Sequence, residues 1–268
     1  MEEVLLEAEE EIKVPSMQEF RGFVDQQSQY WRKRDEIYVK LSYLLASRAS
    51  ELLCKVTPYM LQHNMTKPYG KLLQYDVASY KKFDGKTVRI LLVKSAVAKK
   101  HKTQRKAEPL SSNELSGQAV QTEESNSETS PQVSPQVQKV KMKIVPIVCD
   151  PDAEPWCVDI LKWIQFRKGI PNALSFDMCE MTAQNIVKKT LSQLNPKIHP
   201  HLLRHYRVTH LRKNYRFDPY ELSAFTGWSI QSSFAQKGQI TSSMVDRYVH
   251  TDWTEYVEKL LIPIQDAY

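Results

Sequence analysis

The chain has 268 residues, of which 37 are Lys or Arg and 31 are Asp or Glu, so its formal net charge is +6. This length fits one large domain or two small ones, and no apolar run or N-terminal pattern predicts a membrane span or a signal peptide. The four cysteines form no Cys-x-x-Cys pair, which argues against a zinc site or a disulfide framework and makes a reducing cytoplasm the default location.

The charge is distributed unevenly along the chain. Residues 1–12 are acidic, whereas residues 94–106 and 197–216 are dense in Lys, Arg and His. A local excess of positive charge suits a polyanionic partner better than the modest net charge suggests. The alternative is a basic surface that is simply solvated.

The first predicted elements are helices. Ser16 after Pro15, with Glu19 three residues on, predicts a helix start with a capping box. Apolar residues at helical intervals from about Tyr30 to Leu53 predict a second helix that contributes to the core. Arg48 lies within this stretch among small residues, which let the backbone pack closely or turn and leave the arginine side chain able to reach a cleft.

Two strands are predicted in the middle of the chain. Residues 86–98 are β-branched and apolar after Asp84-Gly85, and residues 140–147 form the second candidate, so together they predict an antiparallel pair. Residues 111–138 are rich in Ser, Gln, Glu, Thr and Pro and lack aromatic residues. Such a segment buries too little apolar surface to offset its ordering entropy, so we expect a disordered insertion within the hairpin.

The C-terminal half is predicted to be helical. Pro200 suits the first turn of a helix, Asp218 suits the N-cap of the next and Gly227 suits its end. The predicted helices cover about 154–166, 182–194, 200–213, 219–225, 242–249 and 253–261. The fold class is therefore α+β, mostly helical, with a small antiparallel sheet or hairpin on one side.

The stretch Pro200-His201-Leu202-Leu203-Arg204-His205 is the most informative part of the sequence. On a helix, His201 and Arg204 are three residues apart and share a face. Arginine offers a planar fork that matches two phosphate oxygens, and histidine exchanges protons near neutral pH. The pair predicts an anion-binding site beside a proton-transfer group, although the motif alone also fits an exposed basic helix.

Three blocks of the chain resemble, in the same order, the motifs of the tyrosine recombinase (phage-type integrase) family. They are Arg48-Ala49-Ser50-Glu51-Leu52-Leu53, residues 200–211 with Thr209-His210-Leu211 at their end, and Tyr248-Val249-His250. Thr226-Gly227-Trp228 stands where the family has Gly followed by His or Trp. The resemblance spans roughly residues 13–261. It implies a catalytic domain of tyrosine recombinase type at 13–268 after an acidic extension at 1–12, with an insertion at about 108–138 and a helical tail at about 253–268.

The resemblance implies a role for each matching residue. Tyr248 would be the nucleophile that forms a 3′-phosphotyrosine link, so strands rejoin without ATP, a metal or another cofactor. Arg48 and Arg204 would stabilise the charge on the phosphate oxygens. His201 would hold or accept the tyrosine proton, and Trp228 would donate its indole N–H to the phosphate.

The lysine that would protonate the departing 5′-oxygen has three candidates. Lys94 ends the first predicted strand before a small hydroxyl residue, as in the family, and Lys99 and Lys100 are the alternatives. Tyr256 and Tyr268 compete with Tyr248, but neither is followed by x-His. His205 and His210 are expected to be structural. The residues expected to contact the DNA backbone are Lys99, Lys100, Lys102, Arg105, Arg207, Arg212 and Lys213.

The sequence departs from the family in several places. Residues 231–240 lengthen the step from Trp228 to Tyr248. We also expect the N-terminal core-binding domain that clamps the other side of the duplex to be missing, as in an isolated catalytic domain, a short enzyme or one part of a divided integrase, so weak and salt-dependent DNA affinity is expected. The resemblance implies double-stranded DNA as the partner and a homo-tetramer on it, with a monomer or weak oligomer when free. An apolar stripe at the C-terminus would dock on a neighbouring subunit or on its own domain: Val257, Leu260, Leu261 and Ile264.

The alternative function is a non-catalytic DNA-binding protein or an inactive integrase fragment. In that case the helices at 200–213 and 219–226 would serve as a helix-turn-helix reader. A regulator, however, has no use for Arg48, a lysine at a strand end and Tyr248 together.

Overall fold

The computed structural model describes residues 14–53, 74–82, 84–96, 142–167, 174, 176, 178–227 and 252–267. The acidic extension, the insertion at 108–138 and the predicted helix at 242–249 lie outside these residues. The described part is α+β, as predicted, with eight α-helices and one three-stranded antiparallel sheet. The elements in chain order are α1 Met17–Ser28, α2 Lys33–Leu44, α3 Ala49–Leu52, β1 Gln74–Lys81, β2 Thr87–Ala96, β3 Met142–Val148, α4 Trp156–Phe166, α5 Glu180–Leu191, α6 Pro200–Lys213, α7 Pro219–Thr226 and α8 Trp253–Leu260, followed by a 3₁₀ turn, Ile264–Ala267.

The sheet has the strand order β1-β2-β3, and both neighbouring pairs are antiparallel. The predicted pairing of β2 with β3 is confirmed, with Ser95 opposite Lys143 and Lys94 opposite Ile144. Strand β1 was not predicted, because its sequence is largely polar and its side chains are mostly exposed, as at a sheet edge. Its presence is decided by hydrogen bonding to β2 rather than by its own apolar pattern.

Local capping signals place several helix ends where the sequence predicts them. The Ser16 side chain accepts the Glu19 N–H at 3.1 Å, and the Glu19 carboxylate accepts the Ser16 N–H at 2.8 Å, which confirms the capping box of α1. Asp218 accepts two N–H groups at the start of α7, and Gly227 ends that helix with a φ of 71°. A left-handed φ is accessible to glycine at no steric cost.

The prediction of one continuous helix from Tyr30 to Leu53 is wrong, because the structure has two helices separated by a turn. Helix α2 ends at Leu44, Ala46 takes a left-handed φ of 43°, and the short α3 starts after Arg48. A left-handed alanine costs about 1 kcal/mol. Local backbone bonds of a Schellman-type helix end offset part of this cost, from the Ala46 N–H to the Tyr43 carbonyl at 2.9 Å and from the Ser47 N–H to the Ser42 carbonyl at 3.2 Å. Tertiary hydrogen bonds from Lys143 and Arg204 to the carbonyl groups of Leu45 and Ala46 add to them.

Helix α2 lies at the centre of the core. Its buried residues occur on all sides rather than along one stripe, as expected for a helix surrounded by other elements. It packs against α4 and α6. An aromatic cluster joins α1, α2, α4 and α6, and its members are Phe20, Tyr43, Trp156 and Tyr206.

The C-terminal helix α8 packs on its own domain. Val257 and Leu260 are buried, the Tyr256 hydroxyl donates to the Ile144 carbonyl on β3 at 3.2 Å, and Lys259 pairs with Glu221 on α7 at 2.7 Å. The apolar C-terminal stripe was expected to dock either on a neighbouring subunit or on its own domain. In the structure it packs on its own domain. No helix in the described ranges is long and apolar enough to cross a membrane.

Candidate functional site

Helix α6 carries the two central residues of the candidate site. Pro200 occupies its first turn, so His201 and Arg204 lie on the first two turns of a regular helix, as predicted. The His201 side chain reaches the surface, whereas Arg204 is only 1% exposed. Arg204 donates to the Ala46 carbonyl oxygen at 2.7 Å and to the Thr226 carbonyl oxygen at 3.0 Å. One arginine thus joins the turn before Arg48 to the end of α7.

The side chain of Glu51 lies at the centre of three cations. Its carboxylate is 2.9 Å from the Lys143 ammonium, 3.8 Å from the Arg48 guanidinium and 4.0 Å from the Arg204 guanidinium. It also accepts the backbone N–H of Arg48 at 3.2 Å. We call Arg48, Glu51, Lys143 and Arg204 the charge cluster. Arg48 is its most exposed member, with 30% of its side chain accessible, and the other three side chains are 1% exposed.

Burial lowers the pKa of two cations of the charge cluster, Arg204 and Lys143. It lowers the pKa of Arg204 to about 10, an effect that Glu51 opposes and the nearby Arg48 charge reinforces. Burial likewise lowers the pKa of Lys143, again against Glu51 and with Arg204 and Arg48 adding to the shift. Like charges held together away from water disfavour their own charged forms, and a bound anion would relieve that repulsion. The cluster holds three cations around one carboxylate, and Arg48 is the member that an anion can reach from the surface.

His201 is electrostatically coupled to this cluster. Partial burial lowers its pKa, and the charges of His205, Arg204 and Arg48 lower it further. The His205 ring meets the His201 ring edge to face, with centroids 4.7 Å apart. A pKa below the ordinary value keeps the His201 imidazole neutral at pH 7, which is the form that accepts a proton.

Lys94 lies away from the charge cluster. It forms an ion pair with Asp76 on the neighbouring strand β1. Successive residues of a strand point to opposite faces of a sheet, and Ser95 rather than Lys94 is directly opposite Lys143. Lys94 is therefore on the face opposite Lys143 and Glu51. The alternative lysines, Lys99 and Lys100, lie outside the described residues.

Trp228 and Tyr248 lie outside the described residues, and so does Tyr268. Of the competing tyrosines, Tyr256 is 1% exposed and donates its hydroxyl to the Ile144 carbonyl. Burial raises the pKa of Tyr256, and the carboxylates of Asp252 and Glu221 raise it further. A tyrosine that is buried and resists ionisation is a poor nucleophile, so this competitor loses support.

The predicted DNA contacts divide into three groups. Arg212 and Lys213 are exposed at the end of α6, whereas Lys99, Lys100, Lys102 and Arg105 lie outside the described residues. Arg207 requires a correction, because it is 3% exposed and its guanidinium lies 5.2 to 5.9 Å from three ring centroids, those of Tyr43, Tyr215 and Phe225. It belongs to the aromatic core, so its guanidinium is not exposed for contact with a DNA backbone.

His210 has the structural role that the sequence predicts. One ring nitrogen lies 2.7 Å from the Tyr43 hydroxyl and the other 2.8 Å from the Pro15 carbonyl oxygen. Because a carbonyl only accepts, Nε2 carries the proton and Nδ1 accepts from Tyr43. Burial lowers the pKa of His210 to about 4, although the hydrogen bond to Pro15 acts in the opposite direction.

Two members of the charge cluster had no assigned role from the sequence. Glu51 is part of the first motif block, and Lys143 lies within the predicted strand at 140–147. The burial of Lys143 could have been predicted from the strand pattern. Alternate residues of a strand lie on the same face, and Val145 and Ile147, two and four residues after Lys143, face the core. A lysine at a core-facing position needs a buried partner. Among the described residues, no group of three or more His, Cys, Asp and Glu side chains is arranged to hold a metal ion.

No protein-family model matches the chain, and no curated protein matches it at a significant level. The function is therefore inferred from the motif blocks and from the contacts of Glu51 and Arg204.

Proposed function

We propose that this protein is a tyrosine site-specific recombinase, an enzyme that cleaves and rejoins DNA strands through a 3′-phosphotyrosine intermediate. The observation that supports this most is the charge cluster, in which Arg48 and Arg204 approach one buried carboxylate although they lie far apart in the chain. His201 is on the same helix as Arg204, and the charges of both arginines lower the pKa of His201. These are three of the residues on which the family resemblance depends.

The two arginines would bind the scissile phosphate. Arg48 is the cation that reaches the surface, so it would meet a non-bridging oxygen first, and Arg204 would contribute its charge from beneath. Two carbonyl groups already orient the Arg204 guanidinium, so little reorganisation is required when negative charge develops. Preorganised donors of this kind stabilise a transition state more than mobile ones.

The chemical step balances without a cofactor. The Tyr248 hydroxyl loses its proton to the neutral His201 imidazole, and its oxygen attacks phosphorus. The bond from phosphorus to the 5′-oxygen breaks, and that oxygen takes a proton from a lysine. Because Lys94 is on the face of the sheet opposite Lys143 and Glu51, Lys99 and Lys100 are the better candidates for this lysine. Attack by a 5′-hydroxyl on the phosphotyrosine reverses these steps and rejoins the strands. No metal or ATP takes part.

Double-stranded DNA would be the partner, and the enzyme would act as a homo-tetramer in the cytoplasm. Arg212 and Lys213 would contact the backbone with the basic residues at 99–105. They lie about 17 to 18 Å along α6 from His201, at the rise of an α-helix, so they would meet phosphates other than the scissile one. Because the C-terminal stripe is buried in its own domain, tetramer contacts would use other surfaces.

The alternative of a helix-turn-helix reader has less support. Helix α7, which would be one of its two helices, has eight residues and buries Glu221, Leu222, Phe225 and Thr226. A recognition helix needs several exposed side chains that reach base edges. A charge cluster of which only Arg48 is partly exposed also serves no purpose in base recognition.

The deciding experiment uses a pool of labelled duplexes of random sequence, each with a nick that lets the cleaved end diffuse away. The protein is mixed with the pool and denatured, and covalent protein–DNA adducts are isolated and sequenced. We expect an adduct with the unmodified protein and with Tyr256→Phe, and none with Tyr248→Phe. Absence of any adduct, or its persistence in Tyr248→Phe, would overturn the proposal or move the nucleophile elsewhere.

A further inference from the structure

We propose that Lys143 is a positioning residue of this site, and that it keeps Arg48 and Arg204 available for phosphate by binding Glu51 in their place. This inference rests on the proposed strand-transfer function. Lys143 is on β3, outside the three motif blocks, and its side chain is 1% exposed. It therefore acts through its neighbours rather than on DNA.

The contacts of Lys143 centre on the turn that carries Arg48. Its ammonium group donates to the Leu45 carbonyl oxygen at 3.3 Å, and Arg204 donates to the next carbonyl, that of Ala46, at 2.7 Å. Two cations from different elements, β3 and α6, thus hold adjacent peptide groups of one turn. Ala46, which has a left-handed φ, lies in this turn. The orientation of Arg48 depends on these two contacts.

Local backbone bonds close only the first part of this turn, from the Ala46 and Ser47 N–H groups back to the Tyr43 and Ser42 carbonyl groups. Helix α3, which follows it, has four residues, and an isolated helix of one turn is unstable in water. Arg48 stands between the two, and its N–H is bonded to Glu51, the carboxylate that Lys143 binds. A loss of order here would move the partly exposed Arg48 side chain that would meet the phosphate.

The distances around Glu51 indicate how the charges are shared. The carboxylate is 2.9 Å from Lys143, a direct ion pair, whereas Arg48 and Arg204 stay at 3.8 and 4.0 Å. A buried carboxylate without a close partner is costly, so it would draw in the nearest cation. Without Lys143, that cation would be one of the two arginines, and Glu51 would compete with phosphate for it.

The test compares four proteins on a nicked duplex that carries the sequence recovered from the random pool. They are the unmodified chain, Lys143→Met, Lys143→Met with Glu51→Gln, and Lys40→Met. Lys40 is a matched control, because it is also a lysine with a 3% exposed side chain, paired with Glu36 at 2.7 Å. It lies on α2, outside the charge cluster. Single-turnover cleavage is measured at saturating DNA, and affinity is measured separately.

We expect Lys143→Met to lower the cleavage rate constant by about 100-fold, the order of loss that follows a displacement of about 1 Å in a catalytic group. The double variant should regain at least about tenfold, because a neutral amide in place of the Glu51 carboxylate no longer competes for the arginines. Lys40→Met should keep the rate constant of the unmodified chain even if its stability falls. A normal rate in Lys143→Met, or no recovery in the double variant, would overturn the proposal.

A second substrate separates positioning from proton transfer. In a duplex with sulfur in place of the bridging 5′-oxygen, the leaving group needs no protonation. Lys143→Met should remain slow on this substrate, since its arginines are still misplaced. Full recovery of the rate would show that Lys143 is itself the proton donor and would overturn a positioning role.

Hydrogen exchange of the DNA-free protein keeps the two proposals distinguishable. We expect faster amide exchange at residues 45–51 in Lys143→Met than in Lys40→Met, with Lys143→Arg close to the unmodified chain because it retains the charge. Unchanged exchange at 45–51 would overturn the positioning role even if cleavage is seen. If exchange changes as expected but the unmodified chain forms no adduct, the proposed recombinase function fails and Lys143 still holds the turn.

Discussion

The guanidinium of Arg204 donates to the carbonyl oxygen of Ala46, 2.7 Å away, across the boundary between α6 and the turn that follows α2. The same side chain reaches the Thr226 carbonyl, at 3.0 Å and one residue before Gly227-Trp228. Arg204, in the second motif block, is thereby bonded to the turn before the first block and to the first residue of Thr226-Gly227-Trp228. The arginine predicted as a phosphate ligand is also a structural link.

Arg204→Lys should therefore lose both activity and stability. A lysine keeps the charge but cannot bond two carbonyls in the fork geometry of arginine. Removing such buried charge-assisted bonds costs about 1.5–3 kcal/mol, measurable by urea denaturation, and adduct formation should fall by about 100-fold or more. Arg212→Lys is the matched control, because Arg212 is exposed and its replacement should change stability by less than about 0.5 kcal/mol. Equal stability of the two variants would contradict the linking role.

The rate of cleavage should depend on pH through His201. Because its pKa lies below the ordinary 6.5, the neutral base predominates at pH 7 and the rate should fall only on acidification past a midpoint below 6.5. The charge of His205 contributes to that shift, so His205→Asn should move the midpoint upward. The measurement is a pH profile of single-turnover cleavage. A midpoint above 6.5, or an unchanged profile in His201→Gln, would exclude His201 as the base.

Stability should decrease in mild acid because of His210. Its pKa is lowered to about 4 in the folded chain from 6.5, so the unfolded chain binds the proton first as pH falls. The stabilisation is fully present above pH 6.5 and is lost progressively until the pH passes about 4. Between pH 7 and pH 5 the loss should be about 2 kcal/mol.

Urea denaturation at these two pH values tests this prediction. His210→Gln has no titrating group at this position, so the difference between pH 7 and pH 5 should shrink by about that amount relative to the unmodified chain. A difference that is the same in both proteins would assign the pH dependence to other groups.

Two arginines on α6 should affect DNA binding differently. Arg212→Gln removes an exposed charge, so it should reduce the slope of log affinity against log salt by about 1. Arg207→Gln should leave that slope unchanged, because Arg207 is packed among Tyr43, Tyr215 and Phe225 and meets no phosphate. Binding is measured by titration of labelled duplex at several salt concentrations. An equal change in slope for both variants would mean that Arg207 leaves the core when DNA binds.

Much of the helical framework was predictable because its signals are local. The capping residues Ser16 and Asp218, Pro200 in the first turn of α6 and Gly227 after α7 each act on their own neighbours in the chain. The pairing of β2 with β3 followed from two apolar segments. His201 and Arg204 could likewise be placed on one helical face from their spacing alone.

The sequence by itself therefore determined the helix ends, the strand pair and the juxtaposition of His201 with Arg204, because these depend on residues within a few positions of each other. Only the three-dimensional structure decided the break after Leu44, the strand β1, the burial of Arg207 and the position of Lys143 beside Glu51. Strand β1 is held by its pairing with the neighbouring β2, and the break is closed by backbone bonds at the end of α2, so an apolar pattern indicates neither. Arg207 and Lys143 are buried beside partners far away in the chain, and burial of a charge is unfavourable without such partners.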